Sequence, residues 1–156
     1  MRAGKISQMI LTLIEVQKST PLSKHPFEED IKFMRRVRFA GMMFPHGVGK
    51  SLGLRHAVDT ILTLDETQPL PKILVVMPGP KQSLGVLRAN FEGLSKKHHP
   101  RLYLEAITDI PNGIGRFDYI FIEDSNRCTN EEIKNLLINC ATEKTLVICL
   151  SAPIIE

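Results

Sequence analysis

Apolar residues along the chain recur in two spacings, one typical of buried strands and the other of amphipathic helices. Short apolar runs predict strands at 37–44, 72–77, 102–107, 119–122 and 145–150. Between these runs, apolar positions three and four residues apart predict helices that bury one face. Strands that alternate with helices form a parallel sheet between helical layers. The predicted fold class is therefore α/β, a three-layer domain with a mostly parallel central sheet of about five strands.

Two helices are expected before the first strand, at residues 2–18 and 26–36. The first carries an apolar stripe at helical spacing. The second has acidic residues in its first turn and arginines in its last, which suits the helix dipole. We therefore expect residues 1–36 to form an N-terminal helical extension packed on the core, and residues 37–156 to form the core of a single domain.

A glycine-rich segment joins the first strand to the next helix. Residues 44–51, FPHGVGKS, end in Gly49-Lys50-Ser51, which is the end of the pattern G-x-x-x-x-G-K-[ST]. In such a loop, backbone N–H groups wrap a phosphate, the lysine reaches the terminal phosphates and the hydroxyl holds Mg²⁺. Phe44 stands where the first glycine belongs. An ordinary glycine turn with an exposed lysine is the alternative, but strand, loop and helix follow in the order that the chemistry requires.

An acidic pair, Glu123-Asp124, ends the strand at 119–122. Ligands bind at the carboxyl ends of parallel strands, so we expect this strand beside the loop strand and its carboxylates facing the loop. One carboxylate would hold Mg²⁺ through its waters, and the other would orient an attacking water. A polar strand end without a catalytic role is the alternative.

The order of four segments resembles the ATPase core of helicases and of large viral terminases, which package DNA. These segments are FPHGVGKS, KILVVMPGP, FDYIFIED and TLVICLSAP, within residues 37–153. In that family the first is the Walker A loop, and the second is a strand whose following loop touches nucleic acid. The third is the Walker B strand, usually ending Asp-Glu. The fourth ends in Ser or Thr with a small residue and senses the nucleotide state.

The resemblance implies ATP and Mg²⁺ as cofactors and assigns roles to single residues. Lys50 would neutralise the terminal phosphates, and Ser51 would hold Mg²⁺. Glu123 falls at the metal-side Asp, Asp124 at the catalytic Glu, and Ser151 at the coupling position. The residues expected to contact the nucleotide are Pro45, His46, Gly47, Val48, Gly49, Lys50, Ser51, Leu52 and Ser151.

Two departures from the family pattern affect what we expect of catalysis. Phe44 replaces a loop glycine, and the acidic pair is inverted, which predicts slow hydrolysis. We also expect no second motor domain or nuclease in these 156 residues, so an oligomer or a partner chain would supply the second face of the site. The candidates for an arginine finger are Arg55, Arg116 and Arg127, none of which stands out.

Composition adds few constraints. The 156 residues suffice for one domain, with 43% hydrophobic and 24% charged residues. A net charge of +3 permits DNA as a partner, and the candidate contacts are the basic run Lys32, Arg35, Arg36 and Arg38 and the loop around Lys81. A solvated basic face is the alternative. No apolar run approaches the ~20 residues of a membrane span, and no signal peptide is recognisable. Together with only three cysteines, this favours the cytoplasm, or the host cytoplasm for a viral protein.

The leading hypothesis is a P-loop, ATP-binding domain of helicase or terminase type, a candidate ATPase whose hydrolysis is weak or partner-dependent and linked to nucleic acid. The rival is a non-catalytic, degenerate module that keeps the fold and acts as a binding or regulatory protein. A small-molecule kinase is a weaker third hypothesis, because the sequence shows neither an arginine-rich lid nor an acceptor pocket.

Overall fold

The computed structural model of the protein describes residues 3–19, 38–45, 49–63, 71–94 and 100–152. The strands are β1 (Arg38–Met43), β2 (Ile73–Met77), β3 (Leu102–Ala106), β4 (Tyr119–Glu123) and β5 (Leu146–Ser151). The helices are α1 (Ala3–Ser19), α2 (Lys50–Thr63), α3 (Leu84–Asn90) and α4 (Asn130–Cys140). The strand ends differ from the predicted ones by about one residue, which is ordinary scatter for such boundaries.

The five strands run parallel in the order β1-β5-β4-β2-β3, which confirms the predicted α/β class. One expectation is wrong: the acidic strand β4 does not lie beside β1, because β5 is inserted between them. Hydrophobic periodicity reports burial and not lateral strand order, so the sequence pattern could not reveal this insertion. Cys149 of β5 is in register with Gly41 on one side and with Ile122 on the other. The carboxyl end of β5 therefore separates the glycine loop from the acidic pair.

Both faces of the sheet are covered, because alternate strand residues point to opposite sides. Val75 and Phe121 point to a large core cluster that includes Leu54 and other residues of α1, α2 and α3. Ile120 points the other way, into a second cluster with Leu137 of α4. Burial on both sides explains why β2 and β4 read as continuous apolar runs.

α1 packs against α2 and buries Ile6, Ile10 and Ile14 in the larger cluster. The helix predicted at 26–36 lies outside the described residues, as does the boundary after residue 36, so the division into extension and core stays a prediction. No helix within the described ranges is long and apolar enough to cross a membrane.

α4 begins with a capping box formed by Thr129 and Glu132. The Thr129 hydroxyl accepts from the Glu132 backbone N–H at 3.0 Å, and the Thr129 N–H donates to the Glu132 carboxylate at 2.8 Å. These bonds satisfy two N–H groups at the helix start that have no helical partner. The capping fixes the start of α4 at Asn130, six positions after Asp124, the second acid of the pair.

Candidate functional site

Phe44, at the position where a phosphate loop has its first glycine, anchors the end of β1. Its side chain is only 1% exposed and lies in the larger core cluster. Its backbone N–H donates to the carbonyl of Ser151, at the end of β5, at 2.9 Å. The phenylalanine thus fastens the first loop residue to the core. Pro45 is exposed, and the next three residues expected to contact the nucleotide, His46, Gly47 and Val48, lie outside the described residues.

α2 begins directly after Gly49, whose φ of +85° is in the left-handed region that glycine adopts without steric cost. The Gly49 carbonyl accepts a bond from the Gly53 N–H at 2.8 Å. Lys50 and Ser51 are therefore the first two residues of the helix, where N–H groups lack helical partners and the dipole is positive. Leu52 is 42% exposed, so its side chain also lies at the surface of this turn.

Two side-chain contacts join the start of α2 to the end of β4. The Lys50 Nζ lies 2.6 Å from the Asp124 Oδ1 in an ion pair. The Ser51 hydroxyl donates to the Glu123 Oε1 at 3.0 Å. These four predicted site residues, separated by more than seventy positions in sequence, are therefore brought to one place.

Glu123 is a buried carboxyl, with 7% of its surface exposed. Burial raises its pKa, because desolvation disfavours the charged form, and the Asp124 charge adds to this rise. The Ser51 hydrogen bond and the Lys50 charge act in the opposite direction and lower the pKa. The net direction is upward, so an ionised Glu123 is held at a cost at the bottom of the site.

Asp124 ends the strand with a left-handed backbone, φ 49° and ψ 44°, which aspartate tolerates better than most residues. A short 3-10 turn, Ser125–Arg127, follows at once. This sharp turn leaves the Asp124 side chain 46% exposed, in contrast to the buried carboxyl one residue earlier. The two acids therefore differ in solvent access, Glu123 being buried and Asp124 half exposed.

Three consecutive carbonyls at the end of β5 connect both halves of the site. The Leu150 carbonyl accepts from the Ser125 hydroxyl at 3.4 Å, and the Ala152 carbonyl accepts from the Asn126 amide at 2.8 Å. Between them, the Ser151 carbonyl accepts from the loop at Phe44. The Ser151 hydroxyl itself lies 3.5 Å from the Met42 carbonyl, a long contact. β5 thus holds the glycine loop and the acidic turn at a fixed separation.

The arginine-finger candidates have different surroundings. Arg55 donates to the Glu92 carbonyl at 3.1 Å, and Arg116 donates to the Ile138 carbonyl at 2.5 Å. Arg127 lines a cavity of about 620 Å³ beyond the carboxyl ends of β2 and β3. The other lining residues are Pro78, Gly79, Pro80, Lys81, Gln82, Thr108, Asp109 and Glu132. This places the loop around Lys81 beside the turn that follows Asp124. The predicted basic run at Lys32, Arg35 and Arg36 lies outside the described residues, as does the Arg38 side chain.

The donor set at Ser51 and Glu123 fits Mg²⁺ bound together with phosphates. Hydroxyl and carboxylate oxygens are ligands of the hard type that Mg²⁺ prefers, and Mg²⁺ is usually held by one or two carboxylates plus substrate phosphates. Within the described part of the chain, no three His, Cys, Asp or Glu residues are grouped to hold a metal. The residues therefore fit a metal that arrives with a nucleotide.

The parallel five-stranded sheet with helices on both faces is consistent with a RecA-like P-loop domain, and a solved helicase has a similar fold. The UvsW helicase from bacteriophage T4 matches with a TM-score of 0.50 at 14% identity, over 85% of this chain and 54% of that chain. At this identity the likeness is one of fold, so the protein has a helicase-like fold and spans about half the length of the T4 chain. No family model matches the sequence, and no curated protein does either.

Three residues outside the predicted motifs also stabilise the site through hydrogen bonds, and the sequence pattern does not identify them. Ser125 and Asn126 bind the end of β5, and the Asn90 amide donates to the Ser51 carbonyl at 2.9 Å. Their partners are backbone carbonyls 25 to 39 positions away, so no local pattern identifies them. For Ser125 and Asn126, the available signal in the sequence was that these polar residues follow the acidic end of a strand.

Proposed function

We propose that the chain is a nucleotide-binding domain of helicase type that binds Mg·ATP through Lys50, Ser51 and Glu123, with Asp124 beside them to orient the attacking water. The observation that carries this proposal is the paired contact between α2 and β4, Lys50 to Asp124 at 2.6 Å and Ser51 to Glu123 at 3.0 Å. It brings a cation and a hydroxyl at a helix start against two carboxylates at a strand end. The helicase-like fold supports the same conclusion.

The side-chain contacts suggest how each residue acts. When bound, Mg·ATP supplies a γ-phosphoryl group that can be transferred to water. Lys50 exchanges its Asp124 partner for the terminal phosphates, because both partners are anionic oxygens. Ser51 and Glu123 would hold the Mg²⁺ ion. Asp124, released from Lys50 and half exposed to solvent, would then orient the attacking water.

We propose that hydrolysis is slow in the isolated chain. Asp124 is one methylene shorter than the Glu that the family has at this position, and a displacement of this order can cost about a hundred-fold in rate. Arg55 and Arg116 donate to backbone carbonyls, so neither side chain extends toward the acidic pair as a finger. A second copy or a partner chain would supply the stabilising charge. DNA is the proposed polymer, with Lys81 and Arg127 of the cavity as its contacts.

A non-catalytic module remains the second candidate function, and one observation favours it. Each acid of the inverted pair already binds one partner, Lys50 or Ser51, so the same geometry serves a domain that binds a nucleotide without turning it over. The two candidates agree on binding and differ only in turnover. The terminase relationship and a viral origin belong to the first candidate as further proposals.

Thermal melting with and without Mg·ATP tests the proposal. A ligand at one hundred times its Kd stabilises by about 2.7 kcal/mol, which for a domain of this size raises Tm by roughly 5–10 °C. GTP in place of ATP identifies the preferred base. A Tm that is unchanged at millimolar Mg·ATP and Mg·GTP contradicts the proposed function in both of its forms.

A further inference from the structure

Two contacts fasten the start of α2 to the end of α3. The Asn90 side-chain amide donates to the Ser51 carbonyl at 2.9 Å. One turn further along α2, the Arg55 guanidinium donates to the Glu92 carbonyl, just past the end of α3, at 3.1 Å. The two bonds lie one turn apart on α2, so together they restrain the position of α2 relative to the end of α3.

Both the side-chain hydroxyl and the backbone carbonyl of Ser51 are consequently hydrogen-bonded to other elements. Its hydroxyl donates to the Glu123 carboxylate, and its carbonyl accepts from Asn90. A carbonyl has two lone pairs, so the Asn90 amide adds to the helical bonding of α2 without displacing it. Asn90 is itself half-buried at the helix end, which limits the rotation of its side chain.

We propose that Asn90 is a positioning residue that sets the Ser51 hydroxyl for Mg²⁺, an inference that rests on the proposed function. Serine carries its oxygen on a single carbon, so the place of the hydroxyl follows the backbone of α2 closely. Lys50 differs, because its flexible four-carbon stem can follow the phosphates when the backbone shifts. Loss of the Asn90 bond therefore weakens the metal-dependent part of nucleotide binding and spares the metal-independent part.

The test compares nucleotide Kd values in Mg²⁺ and in EDTA for the full chain, with labelled ATP as the probe. Asn90→Ala is expected to reduce the gain in affinity from Mg²⁺ by about two- to tenfold, the loss expected for one neutral hydrogen bond. Affinity in EDTA is expected to stay the same. Asn90→Gln, which keeps an amide donor, is expected to recover part of the Mg²⁺ gain.

Asn139→Ala is the matched control, because Asn139 also donates its amide to a backbone carbonyl, that of Asn135 within α4, at 2.9 Å. It is expected to change neither Kd. If Asn90→Ala melts too low to titrate, Asn90→Leu keeps the side-chain volume without a donor. The inference is overturned if a folded Asn90→Ala or Asn90→Leu variant gains as much ATP affinity from Mg²⁺ as wild type does. It is also overturned if the variant loses the same ATP affinity in Mg²⁺ and in EDTA. Wild-type protein that binds no ATP instead overturns the proposed function, and the inference falls with it.

Discussion

The two edges of the central sheet use polar side chains in different ways. At the amino edge, side chains bind backbone carbonyls: Thr145 donates to Phe117 at 2.6 Å, and Lys72 donates to Ile114 at 2.7 Å. At the carboxyl edge, the two contacts between α2 and β4 join side chains to each other, Lys50 with Asp124 and Ser51 with Glu123. Ser125 and Asn126 also bind backbone carbonyls at the carboxyl edge, so what sets that edge apart is the pair of side-chain contacts between α2 and β4.

This difference separates contacts that fold the chain from contacts that a ligand can replace. The Phe117 carbonyl is buried, so losing its Thr145 donor leaves an unsatisfied group, and the Ile114 carbonyl is part-buried, so losing Lys72 removes a charge-assisted bond. A lysine paired with a carboxylate can exchange it for a phosphate oxygen, because both are charged acceptors. Substitutions of Lys72 or Thr145 should consequently change stability, and substitutions in the contacts between α2 and β4 should change ligand binding and turnover.

The largest expected effect concerns the inverted acidic pair. Asp124→Asn removes the carboxylate that is proposed to face the water, and asparagine accepts the left-handed backbone at this position. We expect it to abolish hydrolysis without loss of nucleotide binding. The double change Glu123→Asp with Asp124→Glu restores the family order and is expected to raise turnover, up to about a hundred-fold for a correction of one methylene.

Steady-state phosphate release from the three proteins measures this effect. Melting curves accompany it, because glutamate is less suited than aspartate to a left-handed backbone and the double variant carries that strain. Wild-type turnover within the usual range of about 1–10³ s⁻¹ would contradict slow hydrolysis. A folded double variant slower than wild type would show that the two acids have been assigned to the wrong roles.

The next effect should fall at the amino edge, on stability alone. Lys72 donates to the Ile114 carbonyl, and its ammonium lies 4.5 Å from the centre of the Phe117 ring. Lys72→Met keeps the apolar stem and removes the charge, so we expect a loss of about 1.5–3 kcal/mol, the range for a hydrogen bond to a charged group. Tm should fall by roughly 3–12 °C.

Mg·ATP affinity is the second readout for Lys72→Met. We expect an unchanged Mg·ATP Kd at temperatures where the variant stays folded, since Lys72 lies at the opposite edge of the sheet from the proposed site. An altered Kd with an unaltered Tm would remove the distinction between the two edges.

Glu123→Gln should give the smallest effect, and in the stabilising direction. Burial raises the pKa of Glu123 above its ordinary value of 4.5 in the folded chain, so its contribution to stability is fully present below pH 4.5 and is lost as pH rises through the raised pKa. Glutamine stays neutral throughout and keeps an oxygen for the Ser51 hydroxyl. We expect the variant to melt above wild type at neutral pH, by about 2–4 °C for each kcal/mol, and no higher below pH 4.5.

Melting curves at both pH values check this prediction. The same variant should lose Mg²⁺-dependent affinity, because the proposed metal ligand is gone. A lower Tm than wild type at neutral pH would show that Glu123 stabilises the fold in its ionised form, and that it belongs with the amino-edge contacts.

The parts of the site that sequence could predict are the ones with local signals. The loop at Gly49–Ser51 and the acids at 123–124 sit where a strand meets a turn, and both are readable from neighbouring residues. The insertion of β5 between β1 and β4 depends on how distant strands pack side by side, and no local pattern records it. For the same reason the role of Phe44 as a core anchor, and the bond from Asn90 to Ser51, became visible only in three dimensions.

An equilibrium titration of wild-type protein and Lys50→Ala with labelled Mg·ATP tests the central claim most directly. The substitution removes a charge-assisted contact to phosphate worth roughly 1.5–3 kcal/mol, or about ten- to a hundred-fold in Kd. We predict that wild type binds Mg·ATP saturably, that Lys50→Ala loses affinity by that factor, and that Lys72→Met binds like wild type. Equal binding by Lys50→Ala and wild type would contradict the assignment of the glycine loop as the phosphate site.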